Sequence, residues 1–277
     1  MPGGDTPDRV IRLGVLGDPL AFTLSPVLHR AGLESLGLRC VSSALPTPRE
    51  ALGERLSELA SRGFLGVNLT HPLKEEALAH VERVSDAARR ARSVNTVRFD
   101  ARGATGDTTD GPGFLDFLRS LGRDPARERA VLLGAGGAAR GLAVALEEAG
   151  AAVTLSARGE GGAPGAPRVD EAPWPRVAWR SAAEAEALAS ATLVVNATPL
   201  GGEEGPLAVE LVPRAALIVD LGYAAGVTPW VETARALGRE AWDGLGLLVF
   251  QARRSLELWL DRPVAVEPLA RAVGWPR

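Results

Sequence analysis

The chain has 277 residues, 46% of them hydrophobic and 23% charged, with a net charge of −3; this length and balance suit one or two globular domains with a sizeable core. The slight acidic excess argues against nucleic acid as the main partner, because nucleic-acid-binding domains carry a basic surplus. No apolar run reaches the roughly 18 residues that span a bilayer, and the polar stretch Met1–Asp8 lacks an apolar signal core, so a cytoplasmic protein with no membrane partner is expected.

Strand and helix signals alternate along the chain. Arg12–Leu16 is a short apolar strand stopped by Gly17-Asp18-Pro19. Ser25 then reads as the N-cap of a helix to about Leu36, with Pro26 at its first position. Val41–Leu45 is a second strand. Pro48–Arg62 has helical periodicity, with Leu52, Leu56 and Leu59 on one face. Phe64–Leu69 is a third strand, and Pro72 opens a helix that carries Lys74. Val94–Phe99 and Ala104–Gly106 pair as a hairpin, and Gly111–Leu121 is a helix. A new unit starts near Arg129, with strand Ala130–Leu133, a glycine-rich turn, a helix to about Ala149 and strand Ala152–Ser156. Gly159–Pro167 reads as a surface loop. Leu193–Asn196 and Leu217–Asp220 are apolar strands, and Pro229–Leu237 and Leu247–Leu260 are helices. This alternation implies an α/β protein with parallel sheets.

Some residue types are almost absent. Lys74 is the only lysine among 31 basic residues, Gln251 the only glutamine and Tyr223 the only tyrosine, and the asparagines are Asn68, Asn95 and Asn196. A GC-rich genome, or selection against thermolabile amides, would remove these types wherever another residue serves. The survivors are therefore suspects for function. The single cysteine, Cys40, is expected to be an inert buried thiol. No His/Cys/carboxylate cluster has metal-ligand spacing, so no metal is expected.

Gly134-Ala135-Gly136-Gly137-Ala138-Ala139 follows a strand and opens a helix. The first glycine permits a tight turn, and the second lets backbone approach a pyrophosphate at the positive helix end. An NAD site carries an acidic residue at the end of the next strand. Here Ser156-Ala157-Arg158 stands there, with Glu160 close by, and the arginine suits the 2′-phosphate of NADP.

Four segments of the first half place hydroxyls, amides, an ammonium and a carboxylate at loops or strand ends: Phe22–Pro26, Val67–Lys74, Ser93–Thr96 and Gly106–Gly111. Such groups match a small polyhydroxylated acid. These segments, followed in order by Gly134–Arg140, Asn196–Gly201, Asp220–Tyr223, and Gly244 with Gln251-Ala252, resemble shikimate dehydrogenase over nearly the whole chain.

The resemblance implies an N-terminal α/β substrate domain, residues 1–110 completed by 245–277, and a Rossmann-type NADP-binding domain, 111–244, with a cleft between them. It implies the reversible reduction of 3-dehydroshikimate to shikimate with NADPH, a step toward chorismate and the aromatic amino acids, and a possible homodimer. Lys74 matches the catalytic lysine and Asp110 its partner. Thr23 and Ser25 match the hydroxyl pair for the substrate carboxylate, and Thr70, Asn95, Tyr223 and Gln251 match further substrate contacts. On the cofactor side stand Asp86, the loop Gly134 to Ala138, Arg158, Asn196, Ala197, Thr198, Leu221 and Gly244. Asn68 is expected to support a strand end, and His29, His71 and His80 to be surface or structural. Gly111, Gly113 and Gly244, where the chain crosses between the domains, are candidate hinges. Lys74 serves as general acid or as fixed positive charge.

The chain departs from the family pattern at several positions. Thr23 stands where serine is usual, Phe22 where histidine is common, Thr108 where asparagine is usual and Pro199 where serine is usual. These bear on specificity and affinity, not on reaction class, and leave open a quinate/shikimate dehydrogenase of broader specificity. Against an alternative of another class, a non-catalytic NADP-binding regulator on the same fold, stands the retention of Lys74 and Asp110.

Overall fold

The computed structural model describes residues 10–20, 22–158, 174–200 and 205–277; Gly159–Pro167, Glu160 and Gly201 lie outside them. Two compact units result, one of residues 1–113 with 248–277 and the other of residues 114–247.

The first unit is built on a six-stranded sheet. Its strands are β1 (Ile11–Gly17), β2 (Cys40–Pro46), β3 (Gly66–Leu69), β4 (Arg83–Val84), β5 (Thr96–Asp100) and β6 (Gly103–Asp107), in the order β2-β1-β3-β5-β6-β4. The sheet is mixed: β5 runs antiparallel to both β3 and β6, whereas β1 is parallel to β2 and β3. The parallel expectation fails at β5 alone: it runs against β3, and the two-residue turn that follows it reverses the chain into β6, which is again parallel to β4.

Period-two alternation sends side chains to both faces. Leu16, Val67 and Leu69 pack with Leu52, Leu56 and Leu59 of helix α2 (Leu52–Ser61). Leu13 packs on the other side with Leu28 and Leu33 of α1 (Ser25–Glu34) and with Val249, Ala252, Leu256 and Trp259 of the long C-terminal helix (Leu245–Leu260). Asn68, between Val67 and Leu69, therefore points toward the second face. There it meets His29 of α1 and Ser255 of the C-terminal helix.

The predicted N-cap at Ser25 is displaced. The helix starts at Ser25 itself, after Leu24 in helical conformation, and the Ser25 amide donates to Thr23 Oγ1 at 3.2 Å. The Val27 and Leu28 amides, which a capping Ser25 would have served, donate instead to the Leu24 carbonyl at 3.0 and 3.1 Å. The helix carrying Lys74 is a single turn, α3 (Leu73–Glu76). After it come α4 (Asp86–Ala91) and α5 (Asp110–Ser120). Cys40 is half-buried rather than buried, and burial pushes its thiol up to about 11, which keeps it protonated and unreactive.

The second unit has a fully parallel sheet of β7 (Arg129–Leu133), β8 (Ala152–Ala157), β9 (Arg176–Ala178), β10 (Leu193–Asn196), β11 (Leu217–Asp220) and β12 (Ala241–Trp242). The order is β12-β11-β10-β7-β8-β9. Numbered within the unit this is 3-2-1-4-5-6, the dinucleotide-binding order, whose ligand crevice lies at the strand carboxyl ends where the order reverses. Helix α6 (Gly137–Glu148) follows β7, α7 (Ala182–Ala189) follows β9 and α8 (Pro229–Ala236) follows β11. The long C-terminal helix is α9, and α10 (Val266–Val273) ends the chain. Among the described residues no helix is long and apolar enough to cross a membrane.

Candidate active site

In the first unit the structure brings three predicted residues into direct contact. Lys74 Nζ donates to Asp110 Oδ2 at 2.6 Å, and Asn95 Nδ2 donates to Asp110 Oδ1 at 2.7 Å. Three backbone features place them. The Val94 amide donates to the Lys74 carbonyl at 2.7 Å, which ties α3 to the start of β5. The Asn95 amide donates to the Asp107 carbonyl at 3.0 Å, which ties that strand to the end of β6. Asp110 is the first residue of α5. The side chains of Lys74 and Asp110 are 18% and 8% exposed, so the pair is mostly shielded while the ammonium keeps access to a ligand. An ionised carboxylate and ammonium at this distance form a charge-assisted hydrogen bond. The result is a lysine oriented by a carboxylate that an amide orients in turn.

Asn95 is held on its other side. Its Oδ1 accepts from the Thr109 amide at 2.7 Å and lies 3.0 Å and 3.1 Å from the hydroxyls of Thr96 and Thr109. Asn68 donates to the Asn95 carbonyl at 3.1 Å and to Thr96 Oγ1 at 2.9 Å, the strand-end support that its motif implies. Behind Asn68 lies His29, fully buried, 2.9 Å from Asn68 Oδ1 and 2.8 Å from Ser42 Oγ. Because Asn68 Oδ1 only accepts, His29 donates from Nε2 and accepts from Ser42 at Nδ1. Burial lowers its pKa to about 4, which keeps the ring neutral.

The other substrate-side residues are placed less directly. Thr23 Oγ1 donates to Ser25 Oγ at 3.3 Å, so the hydroxyl pair is adjacent at the start of α1. Thr70 follows β3, and its methyl leaves no room for a side chain at Gly17, where a Cβ would lie 2.4 Å away. Gln251 is buried on α9 and bonds the Leu248 carbonyl at 3.1 Å, one turn back on its own helix. A Cβ on Gly113 would sit 2.6 Å from the Gln251 amide, so close approach of α5 to α9 explains that glycine. Tyr223 belongs to the second unit, after β11. Asp86 opens α4, 94% exposed, and pairs with Arg89 at 2.8 Å. His71 is exposed.

In the second unit the loop after β7 is shaped for an anion. Gly134 has φ +114°, open only to glycine, and a Cβ there would lie 3.2 Å from the Ala197 carbonyl oxygen. A Cβ on Gly136 would meet nothing within 4 Å. Packing therefore does not demand glycine at 136, whereas a ligand lying against the backbone would. Gly136 is the N-cap of α6 and offers no side-chain cap. The amides of Gly137 and Ala138, in the first turn, have no intrahelical acceptor and suit a pyrophosphate. Arg140 Nη1 donates to the Ala135 carbonyl at 2.7 Å and braces the loop. Arg158, exposed, extends from the carboxyl end of β8. These residues fit a dinucleotide with a 2′-phosphate.

Across the point where strand order reverses, Asn196 organises the ends of β10 and β11. Its Oδ1 accepts from the Thr198 amide at 3.0 Å and hydroxyl at 2.6 Å, while its Nδ2 donates to Asp220 Oδ1 at 3.0 Å. Asp220 also accepts from the Gly222 amide and, at 2.8 Å, from the Thr228 hydroxyl. Burial nevertheless holds its carboxyl above the usual range. A Cβ on Gly244 would lie 2.1 Å from the Leu221 carbonyl oxygen, so this glycine too is required by close approach. Sequence reasoning gave no role to Thr96, Thr109, Ser255 or Asp220. Asp220 was legible as a carboxylate ending an apolar strand, whereas the hydroxyls carry no such signal.

A family profile described as shikimate dehydrogenase substrate binding domain matches residues 15–97. The shikimate dehydrogenase (NADP(+)) of Acidiphilium cryptum is 41% identical over 94% of this chain and 95% of its own length. That of Thermus thermophilus is 40% identical over 95% and 98%. A crystal structure of the Thermus thermophilus enzyme in complex with NADP(H) and shikimate superposes with a TM-score of 0.83 at 39% identity, over 95% of this chain and 98% of that one. With this likeness along almost its full length, the chain belongs to the shikimate dehydrogenase family.

Proposed function

We infer that this protein is an NADP-dependent oxidoreductase that reversibly reduces 3-dehydroshikimate to shikimate in the cytoplasm. The observation that carries the reading is the Lys74–Asp110–Asn95 cluster, a shielded lysine held by a carboxylate at 2.6 Å. Bound NADPH supplies the hydride to the carbonyl carbon. The chain supplies the rest. As the carbonyl oxygen gains charge, the Lys74 ammonium stabilises it or donates a proton to it. Asp110 orients that ammonium and accepts from the neighbouring substrate hydroxyl. Arginine would keep the charge but not release the proton, because its pKa is above 12; this accounts for a lysine in a chain that uses arginine elsewhere.

The unit of residues 1–113 and 248–277 binds the substrate. Thr23 and Ser25 take its carboxylate, and Thr70, Asn95, Tyr223 and Gln251 its other polar groups. Gln251 serves once its amide turns from the Leu248 carbonyl. In residues 114–247 the loop Gly134 to Ala138 holds the pyrophosphate and Arg158 the 2′-phosphate. Ala197, Thr198, Leu221 and Gly244 line the nicotinamide, with Asn196 fixing their strands.

The test is NADP+ reduction by the purified protein with shikimate, with quinate, and with NAD+ in place of NADP+. Turnover is expected with shikimate and NADP+. A comparable rate with quinate moves the reading to a broader quinate/shikimate dehydrogenase, for which the extra methyl of Thr23 is the motive. Cofactor binding without turnover of either acid overturns it in favour of a regulator.

A further inference from the structure

The sheet-facing side of α9 is apolar, with Val249, Ala252, Leu256 and Trp259 in the core. Ser255 interrupts it. Its side chain is fully buried, and a buried hydroxyl is costly unless hydrogen-bonded. Its Oγ lies 2.9 Å from Asn68 Nδ2, 2.9 Å from Thr96 Oγ1 and 3.0 Å from Thr109 Oγ1. Thr96 and Thr109 are themselves 2.9 Å apart, so the three hydroxyls form a closed triangle. Alanine would fill nearly the same space, so the hydroxyl serves to connect rather than to pack.

What it connects bears on the reaction. Two members of the triangle, the Thr96 and Thr109 hydroxyls, lie 3.0 and 3.1 Å from Asn95 Oδ1, which also accepts from the Thr109 amide. That fixes which way the amide points. Reversed, Asn95 would aim an N–H at the Thr109 amide and an oxygen at the Asp110 carboxylate, two repulsive contacts. In the observed sense Nδ2 donates to Asp110, whose other oxygen holds Lys74. The Asn68 and Asn95 amides do not pass protons along, so the network orients groups rather than conducting protons. Ser255 lies one helical turn beyond Gln251, so the same tie holds the segment of α9 that carries Gln251 against the ends of β3 and β5.

We propose that Ser255 is a positioning residue: from α9 it locks the Thr96–Thr109 hydroxyl pair, and through it the Asn95 amide and Asp110 carboxylate, in the sense that meets Lys74. The proposal rests on the dehydrogenase reading above.

It is tested by kcat and KM for shikimate and NADP+ in the parent, Ser255→Ala, Thr109→Val and the double variant. Each single substitution is expected to lower kcat about tenfold, the scale on which small misplacements act, with KM for NADP+ unchanged. The double variant is expected to be no slower than the slower single, because one unit is broken twice. A Ser255→Ala enzyme with parental kcat, or losses that multiply in the double variant, overturns the proposal. If Ser255→Ala does not fold, Thr109→Val decides alone: a kcat loss at constant NADP+ KM supports it and parental kcat overturns it. A parent that does not turn over shikimate fails the reading beneath, and the inference falls with it.

Discussion

Arg158 is one of many arginines in a chain with a single lysine, so abundance alone says nothing of its role. Its position at the end of β8, where an NAD site needs a carboxylate, does. Arg158→Ala is expected to raise KM for NADP+ about tenfold and leave that for NAD+ nearly unchanged, read by steady-state kinetics with each cofactor; equal changes for both would place Arg158 outside the cofactor site. His29 makes a second residue-scale prediction. Unfolded, it takes up a proton near pH 6.5; folded, burial holds it neutral down to about 4. Between these values the unfolded chain binds more protons, so stability is complete above the window and is lost as pH falls through it, by at most about 3 kcal/mol. Denaturation midpoints for the parent and for His29→Gln, which does not titrate, should converge as pH falls through this range. Parallel slopes would contradict the assignment. Lys74, Asn95 and Gln251 were legible as rare types within motifs. Ser255 was not, because a serine on a helix reads as neutral and its partners lie 187, 159 and 146 positions away.

Elements with a clear period were legible: Leu52, Leu56 and Leu59 mark α2, and the apolar runs β10 and β11 are bounded as expected. The two-residue strands β4 and β12 are too short to carry a period. Helix α7, Ala/Glu-rich with two buried residues, has too little apolar contrast to mark a face. Tight joints between elements were visible only as glycines. Gly244 is a joint of this kind, against the Leu221 carbonyl. Gly244→Ala is expected to cost about 1–3 kcal/mol, since backbone must shift to admit the methyl, and to weaken NADP+ binding because Leu221 moves with it. Thermal unfolding and cofactor titration measure both; an alanine variant with parental Tm would show that the joint is slack.

For the whole molecule, division into two α/β units was legible from the glycine-rich motif opening a fresh strand–helix series. The mixed character of the first sheet comes from the single strand β5, antiparallel to both of its neighbours. The proposed assignment of cofactor to one unit and substrate to the other gives a prediction in hydrogen exchange. NADP+ alone should slow exchange at Gly134–Arg140 and Asn196–Thr198, and shikimate alone around Thr23–Ser25 and Asn95. Protection in the opposite pattern would reverse the assignment of ligands to units.

Lys74, held by Asp110, is proposed to assist the chemical step, and Lys74→Ala bears on this more than any other variant. Its turnover of shikimate with NADP+ is expected to show a kcat lower by roughly 10²–10⁴-fold, with shikimate still bound. Turnover equal to that of the parent would remove Lys74 from the chemistry.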